Sequence, residues 1–88
     1  MTNVNVAIEQ LLPQAGSDMA GWKLGLIPTV AKGTQNDTVT VTNASEVIVL
    51  SAIHITTGAW ETHTAATNVV TLTSVTTGAK KLYCKYKS

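Results

Sequence analysis

The 88-residue chain has no arginine, no phenylalanine and one cysteine, and only 12% of it is charged, about half the ~25% of an average soluble domain. Each shortage removes a class of answers. A single cysteine, Cys84, excludes an intrachain disulfide as a staple, and no Cys/His grouping has zinc spacing. With no arginine and a net charge of +1, the chain lacks the usual means of gripping phosphates and reading bases. Its one basic cluster is Lys80, Lys81, Lys85 and Lys87, so no nucleic-acid partner is expected. No run approaches the ~18 apolar residues of a membrane helix, so no membrane partner is expected either. The start, MTNVNVAIEQ, lacks the basic residues and apolar run of a signal peptide. Use without secretion through that route is the expectation.

What is present is threonine, 15 residues of it, within a chain that is 44% hydrophobic. That is enough apolar material to fold, unlike a charge-rich disordered tail. The length allows one domain, which buries only about 60–65% of its unfolded surface and is marginal without a supplement. With disulfide and zinc excluded, association with other chains is the supplement that remains. A surface of Thr, Ala and Val suits lying against something better than standing in water.

Hydrophobic periodicity places the elements. In the first twelve residues Val4, Ala7, Ile8 and Leu11 have helical spacing, while Val4, Val6 and Ile8 also alternate as a strand does. A short helix on the core and an arm reaching to a neighbour are both open for residues 1–20, with Pro13 ending the element and residues 14–18 forming a loop. The β-domain is expected over residues 21–88. Its first strand, 22–30, has a dry face of Leu24, Leu26 and Val30, and Pro28 suggests an edge or bulge. Residues 38–42 alternate with Val39 and Val41 inward, and the tight connection 43–45 predicts a hairpin with the next strand. That next strand, 46–57, is the longest and is expected at the centre of the sheet. Val47, Val49, Ile53 and Ile55 share one of its faces; Ile48, Leu50, Ala52 and His54 share the other. After a loop over 58–67 come strands over 68–74 and 80–87, the last with Leu82, Cys84 and Tyr86 inward. The sum is an all-β fold, a small antiparallel β-sandwich or barrel of about five strands with an N-terminal arm or short helix.

Catalytic chemistry is thinly supplied. His54, Glu61 and His63 are the groups that offer any, and their spacing fits no ordered metal motif. A surface loop with a polar tip, and a His54 hydrogen-bonded near the sheet, account for them. Cys84 alternates with Leu82 and Tyr86 and reads as a small core side chain. No Ser-His-Asp set and no glycine-rich phosphate loop is present, so the chain reads as non-enzymatic, with no cofactor. Trp22 reads as core. Trp60, in a Thr/Ala-rich loop, is either a cap on the core or an anchor at an interface, where Trp and Tyr are enriched. The candidate interface residues are Trp60, Val4, Val6, Ile8, Leu11 and Tyr83.

Four segments follow one another: KGTQNDTVTV (32–41), EVIVL (46–50), NVVTLT (68–73) and TGAKKLY (77–83). Their order resembles small structural proteins of tailed-phage virions, in which a G-D-T-V-T-V strand, a long apolar strand, an N-V-V-T-L/V-T strand and a terminal K-K-L/V-Y strand succeed each other. The resemblance covers about residues 32–87. Here Gln35-Asn36 separates Gly33 from Asp37, and the usual glycine after the last strand is missing. The resemblance implies a capsid decoration or cement role. The protein would be made in the host cytoplasm and carried on the capsid surface, with the major capsid protein or copies of itself as partners, as a homo-oligomer or lattice-bound. It implies no catalytic residues.

The rival reading is a carbohydrate- or cell-surface-binding β-module using Trp60, Tyr83 and Tyr86 as stacking platforms. The two-faced apolar run 47–55 bears on the choice. Its second face is covered either within the chain, by residues 1–12 or an opposite sheet, or by a neighbouring subunit.

Overall fold

A computed structural model describes residues 2–11 and 21–88. The strands are β1 (Asn3–Val6), β2 (Glu9–Gln10), β3 (Lys23–Lys32), β4 (Asp37–Val41), β5 (Glu46–His54), β6 (His63–Ala66), β7 (Val69–Leu72) and β8 (Gly78–Lys87). They form two four-stranded sheets, one in the order β1-β4-β7-β6 and the other β2-β3-β8-β5. Every pairing is antiparallel except β1 with β4. The all-β sandwich expected from periodicity is the architecture found, with eight strands among the described residues where about five were expected.

The extra strands come from two places. β6 lies inside the stretch read as a loop over 58–67 and turns back on β7 through Thr67, whose φ of 52° marks a tight turn. The N-terminal residues supply β1 and β2, so among the described residues no helix occurs there. The expected loop over 14–18 lies outside the described residues. β1 joins one sheet and β2 the other, and Ile8 sits at the crossing, buried in the core. A strand that changes sheets strands its own peptide groups at the crossing. The Asn43 amide answers both: Ile8 N–H donates to its Oδ1 at 2.9 Å, and its Nδ2 donates to the Ile8 carbonyl at 3.0 Å.

Residues 38–42 and 46–57 were expected to pair as a hairpin, and they do not. β4 and β5 belong to opposite sheets, and residues 43–45 carry the chain across with Ala44 buried. Nor is β5 central. It is an edge strand, and the inner strands of its sheet are β3 and β8.

β8 is the straight reference in that sheet. Lys80, Leu82, Cys84 and Tyr86 point inward without interruption. Both of its partners contain a bulge, and a bulge inserts one residue and reverses which parity faces the core. In β3 the register slips between Ile27 and Val30, around Pro28. Gly25 and Ile27 face inward before it and Val30 and Lys32 after it, which leaves Leu24 and Leu26 outside. In β5 the slip falls between Val49 and Ser51. Val47 is buried and Val49 packs on the core; beyond Leu50 the inward residue is Ala52, not Ile53. The dry face expected at Leu24 and Leu26 is therefore an outer face, and Ile53 and Ile55 lie on the opposite side of the sheet from Val47 and Val49, with which they were expected to share a face.

The core between the sheets is aliphatic, built on Ile27, Val39, Val41, Val70, Leu72 and Leu82, all essentially without solvent contact. Each such side chain contributes about 1.5–3 kcal/mol on burial.

Candidate functional site

Two features stand apart from this aliphatic packing. One is buried and ionic; the other is exposed and apolar.

The ionic feature closes one end of the sandwich. Glu61 precedes β6 and turns its carboxylate inward, where Lys32 Nζ from β3 meets Oε2 at 3.0 Å and Lys80 Nζ from β8 meets Oε1 at 2.9 Å. Ser74, just past β7, donates its N–H to Oε2 at 2.9 Å and its hydroxyl to Oε1 at 2.8 Å. Lys32 also donates to the Ser74 carbonyl and hydroxyl, and Lys80 donates to Thr76 Oγ1 at 3.2 Å. All three ionic side chains are excluded from solvent, and no buried side-chain polar atom among the described residues lacks a partner. Burial raises the Glu61 pKa; the Lys80 ammonium, both Ser74 donors and the Lys32 ammonium outweigh it and bring the value down to about 2. The carboxylate is ionised and fully bonded. Nothing here serves as a proton donor or a nucleophile.

A second carboxylate works the same way at the turn before β4. Asp37 accepts bonds from Thr34 Oγ1, from the Thr2 N–H at 2.7 Å, and from the Thr34 and Gly33 N–H groups at 3.0 and 2.8 Å. The Thr34 hydroxyl, then the Thr2 and other backbone donors, hold its pKa well below the usual carboxylate range. This ties the start of β1 to the 33–37 turn.

These two lowered carboxylates predict an acid limb. A group whose folded pKa is depressed stabilises the fold above its unfolded pKa and stops doing so as pH falls through the folded value. For Glu61 that window runs from 4.5 down to about 2, and Asp37 acts in the same direction. The urea midpoint should therefore hold steady above about pH 5 and fall continuously below it. A midpoint unchanged down to pH 2 would show that neither carboxylate is held as described.

The residues named for catalysis do not converge. His54 Nδ1 accepts the Thr56 N–H at 3.2 Å, which assigns the proton to Nε2, and Nε2 donates to the Thr77 carbonyl at 3.0 Å. This is the hydrogen-bonded ring near the sheet that the sequence suggested. His63 Nδ1 lies 3.2 Å from the Glu61 carbonyl, not from its carboxylate. Among the described residues no three His, Cys, Asp or Glu side chains group as metal ligands would. Cys84 is buried in the core and its thiol is pushed up to about 12 by desolvation, so it carries no thiolate at neutral pH.

The apolar feature is the outer face of the β2-β3-β8-β5 sheet. Register sets it out in rows: Leu24, Lys85 and Ile48 lie side by side, then Leu26, Tyr83 and Ser51, then Lys81 and Ile53. Trp60 extends the last row by a bridge to Ile53. Leu50, pushed out by the β5 bulge, is 55% exposed, Tyr83 37% and Trp60 77%. Trp60 is not a loose side chain on a loose loop. Gly58 N–H donates to the His54 carbonyl at 2.7 Å, His54 N–H to Ala59 at 2.8 Å and Glu61 N–H to Ala52 at 2.8 Å. Its neighbour Glu61 is locked inside.

Of the six candidate interface residues, Trp60 and Tyr83 lie on this outer face and Leu11 is exposed beyond β2. Val4 and Val6 are half-buried in β1 on the other sheet, with Val6 packed on the core. Ile8 is 3% exposed and belongs to the chain's own interior, because the sheet-changing strand carries it there. Trp22, read as core, is only half-buried, with the Lys85 and Lys87 ammoniums 5.3 and 4.8 Å from its ring centre. The Lys32–Glu61–Lys80 group escaped the sequence reading. The signal available was the parity of β8, in which Lys80 shares a face with Leu82 and Cys84.

No family model matches the chain, and neither a curated protein nor a solved structure matches it.

Proposed function

We propose that this protein is a non-enzymatic structural protein of a tailed-phage virion, seated on the capsid surface as a decoration or cement protein that stabilises the shell. The observation that carries the reading is the outer face of the β2-β3-β8-β5 sheet. Here Leu24, Ile48, Leu50, Ile55, Tyr83 and Trp60 stand exposed in a domain that has already completed its core. Large apolar side chains exposed together on one face mark protein contact surfaces. In the two-faced run 47–55, Ile48, Leu50 and Ile55 stand out from the sheet with no described segment over them, whereas Ala52 is buried. The order of strand motifs supplies the virion setting by resemblance, and the sparse surface charge agrees with a chain that works against a large protein surface. On a lattice, many weak copies stiffen a shell through repetition.

The carbohydrate-binding alternative loses one of its three platforms, since Tyr86 is buried in the core while Tyr83 faces out.

Trp60→Ala tests the reading. The side chain is 77% exposed and the bonds that hold its loop belong to Gly58, Ala59 and Glu61, so the melting temperature should stay within the range of a neutral surface substitution. Attachment to shells of the phage's major capsid protein, measured by co-sedimentation, should weaken by roughly 30-fold, about 2 kcal/mol, as for a central aromatic anchor. Unchanged attachment removes Trp60 as the anchor. Absence of attachment by the unaltered protein removes the virion role.

A further inference from the structure

We infer that the outer face of the β2-β3-β8-β5 sheet docks on an acidic protein surface, a line of carboxylates received between two apolar rails, and that this partner is a different chain, not a second copy. The inference rests on the proposed capsid-surface role and names the chemistry of the partner.

The geometry is a cationic spine. Lys81, Tyr83, Lys85 and Lys87 alternate outward along β8, an inner strand of the sheet. Leu24 and Leu26 of β3 flank them on one side, and Ile48 and Ile53 of β5 on the other. The salt bridges among the described residues belong to Lys32 and Lys80 inside the fold, and the spine makes none. Its ammoniums lie over aromatic rings instead: Lys85 and Lys87 over Trp22, and Lys81 at 5.9 Å from the centre of Tyr83. Those rings hold the cations in place and leave their carboxylate-bonding capacity unused. Among the described residues the acids on this face stand at its margins, Glu46 opposite Lys87 and Glu9 opposite Leu26.

Charge decides the occupant. Two copies laid face to face would set one lysine spine against another, and like charges brought together at an interface cost several kcal/mol. A membrane-seated face keeps its lysines at the border of the apolar area so that they reach water, whereas Lys81 and Lys85 rise from its middle. Nucleic acid would leave the leucine and isoleucine rails against phosphates. Carboxylates aligned over the spine, with apolar side chains on either flank, satisfy the lysines and the two rails, while Glu9 and Glu46 stand outside that line on the edge strands.

The experiment is charge reversal. Lys81→Glu/Lys85→Glu should fold with an unchanged circular dichroism spectrum, since both side chains point outward, and Lys81→Gln/Lys85→Gln provides a neutral step between. Binding of the purified protein to shells of the major capsid protein should fall about 10- to 100-fold in the reversed variant and by an intermediate amount in the neutral one. Raising NaCl from about 0.05 to 0.5 M should weaken the unaltered protein and leave the neutral variant nearly unmoved. If shells bind all three proteins equally, the acidic partner is wrong and the capsid role stands. If the unaltered protein ignores shells, both fall. Dimerisation through this face on analytical ultracentrifugation, or tighter binding to phosphatidylserine-containing vesicles than to shells, would also overturn the inference.

Discussion

Replacing Glu61 with alanine should destabilise the protein by about 3–5 kcal/mol, the scale for removing one partner from a buried ion pair. For a small domain, each kcal/mol moves the melting point by about 4–8 °C, so the variant should be largely unfolded at temperatures the parent tolerates. The size follows from what is left behind. Lys32 and Lys80 have no solvent access, and without the carboxylate two ammoniums face each other across a dry site. Lys32 keeps Ser74 and Lys80 keeps Thr76, but neither oxygen carries the compensating charge. The comparison that isolates this cause is Lys32→Met/Glu61→Leu/Lys80→Met, which removes all three charges together. Apolar replacement of a complete buried ionic group is often neutral, or stabilising by about 1–4 kcal/mol. A urea titration in which the single variant collapses and the triple variant does not would assign the loss to stranded charge. Equal losses in both would mean that shape, not charge, is what the site supplies.

The triad also bears on how the outer face is presented. Lys32 and Lys80 belong to one sheet, while Glu61 and Ser74 adjoin strands of the other. The group therefore fastens the two sheets at the end where Trp60 projects. Because residue 61 is anchored inward, residue 60 is directed outward, and the bridge from Trp60 to Ile53 fixes its height above the sheet. An anchor held in this way loses little freedom on binding.

How much of this could be seen in the residues depends on the element. β8 and β4 alternate without interruption, so Leu82, Cys84, Tyr86, Val39 and Val41 were legible as inward from period two alone. β3 and β5 contain bulges, and a bulge leaves no compulsory mark in sequence; Pro28 hinted at one, and nothing at Leu50 hinted at the other. One inserted residue in each strand put Leu24 and Leu26 outside and parted Ile53 and Ile55 from Val47 and Val49, and together these reversals create the exposed face. The pairing of β4 with β7 instead of β5 was equally hidden, because a three-residue connection serves a sheet-to-sheet crossing as well as a hairpin. For the N-terminal residues both periodicities were present, and tertiary pairing with β4 decided for strand. Trp60 and Tyr83 were visible as interface candidates by residue type. Their common face was not, since it depends on the bridge between Ile53 and Trp60.

Gly25→Ala should destabilise the fold by about 1–3 kcal/mol, although it adds one methyl group. Gly25 faces inward on β3, and a Cβ there would lie 2.5 and 2.6 Å from Ile8 Cδ1 and Cγ1 and 2.7 Å from Tyr86 Cε1. Those distances are far inside the ~3.5–4.0 Å of favourable carbon contact. A flexible tip could swing aside, but Ile8 is held at both peptide groups by Asn43 and is buried on all sides. Tyr86 is buried in the same core. The least costly response is to lift the residue 8 crossing off the sheet, which strips β2 from β3 first. Hydrogen exchange should then accelerate at the amides of Ile8 and Leu11, the latter bonded to the Leu24 carbonyl at 3.1 Å, while those of β8 accelerate little or not at all. Ile8→Ala alone should cost about 2–5 kcal/mol through the cavity it leaves. In combination with Gly25→Ala its cost should be smaller than the sum, because each substitution relieves the strain or void made by the other. Strict additivity of the two would mean that the methyl finds room elsewhere and that Ile8 does not fill the space above Gly25.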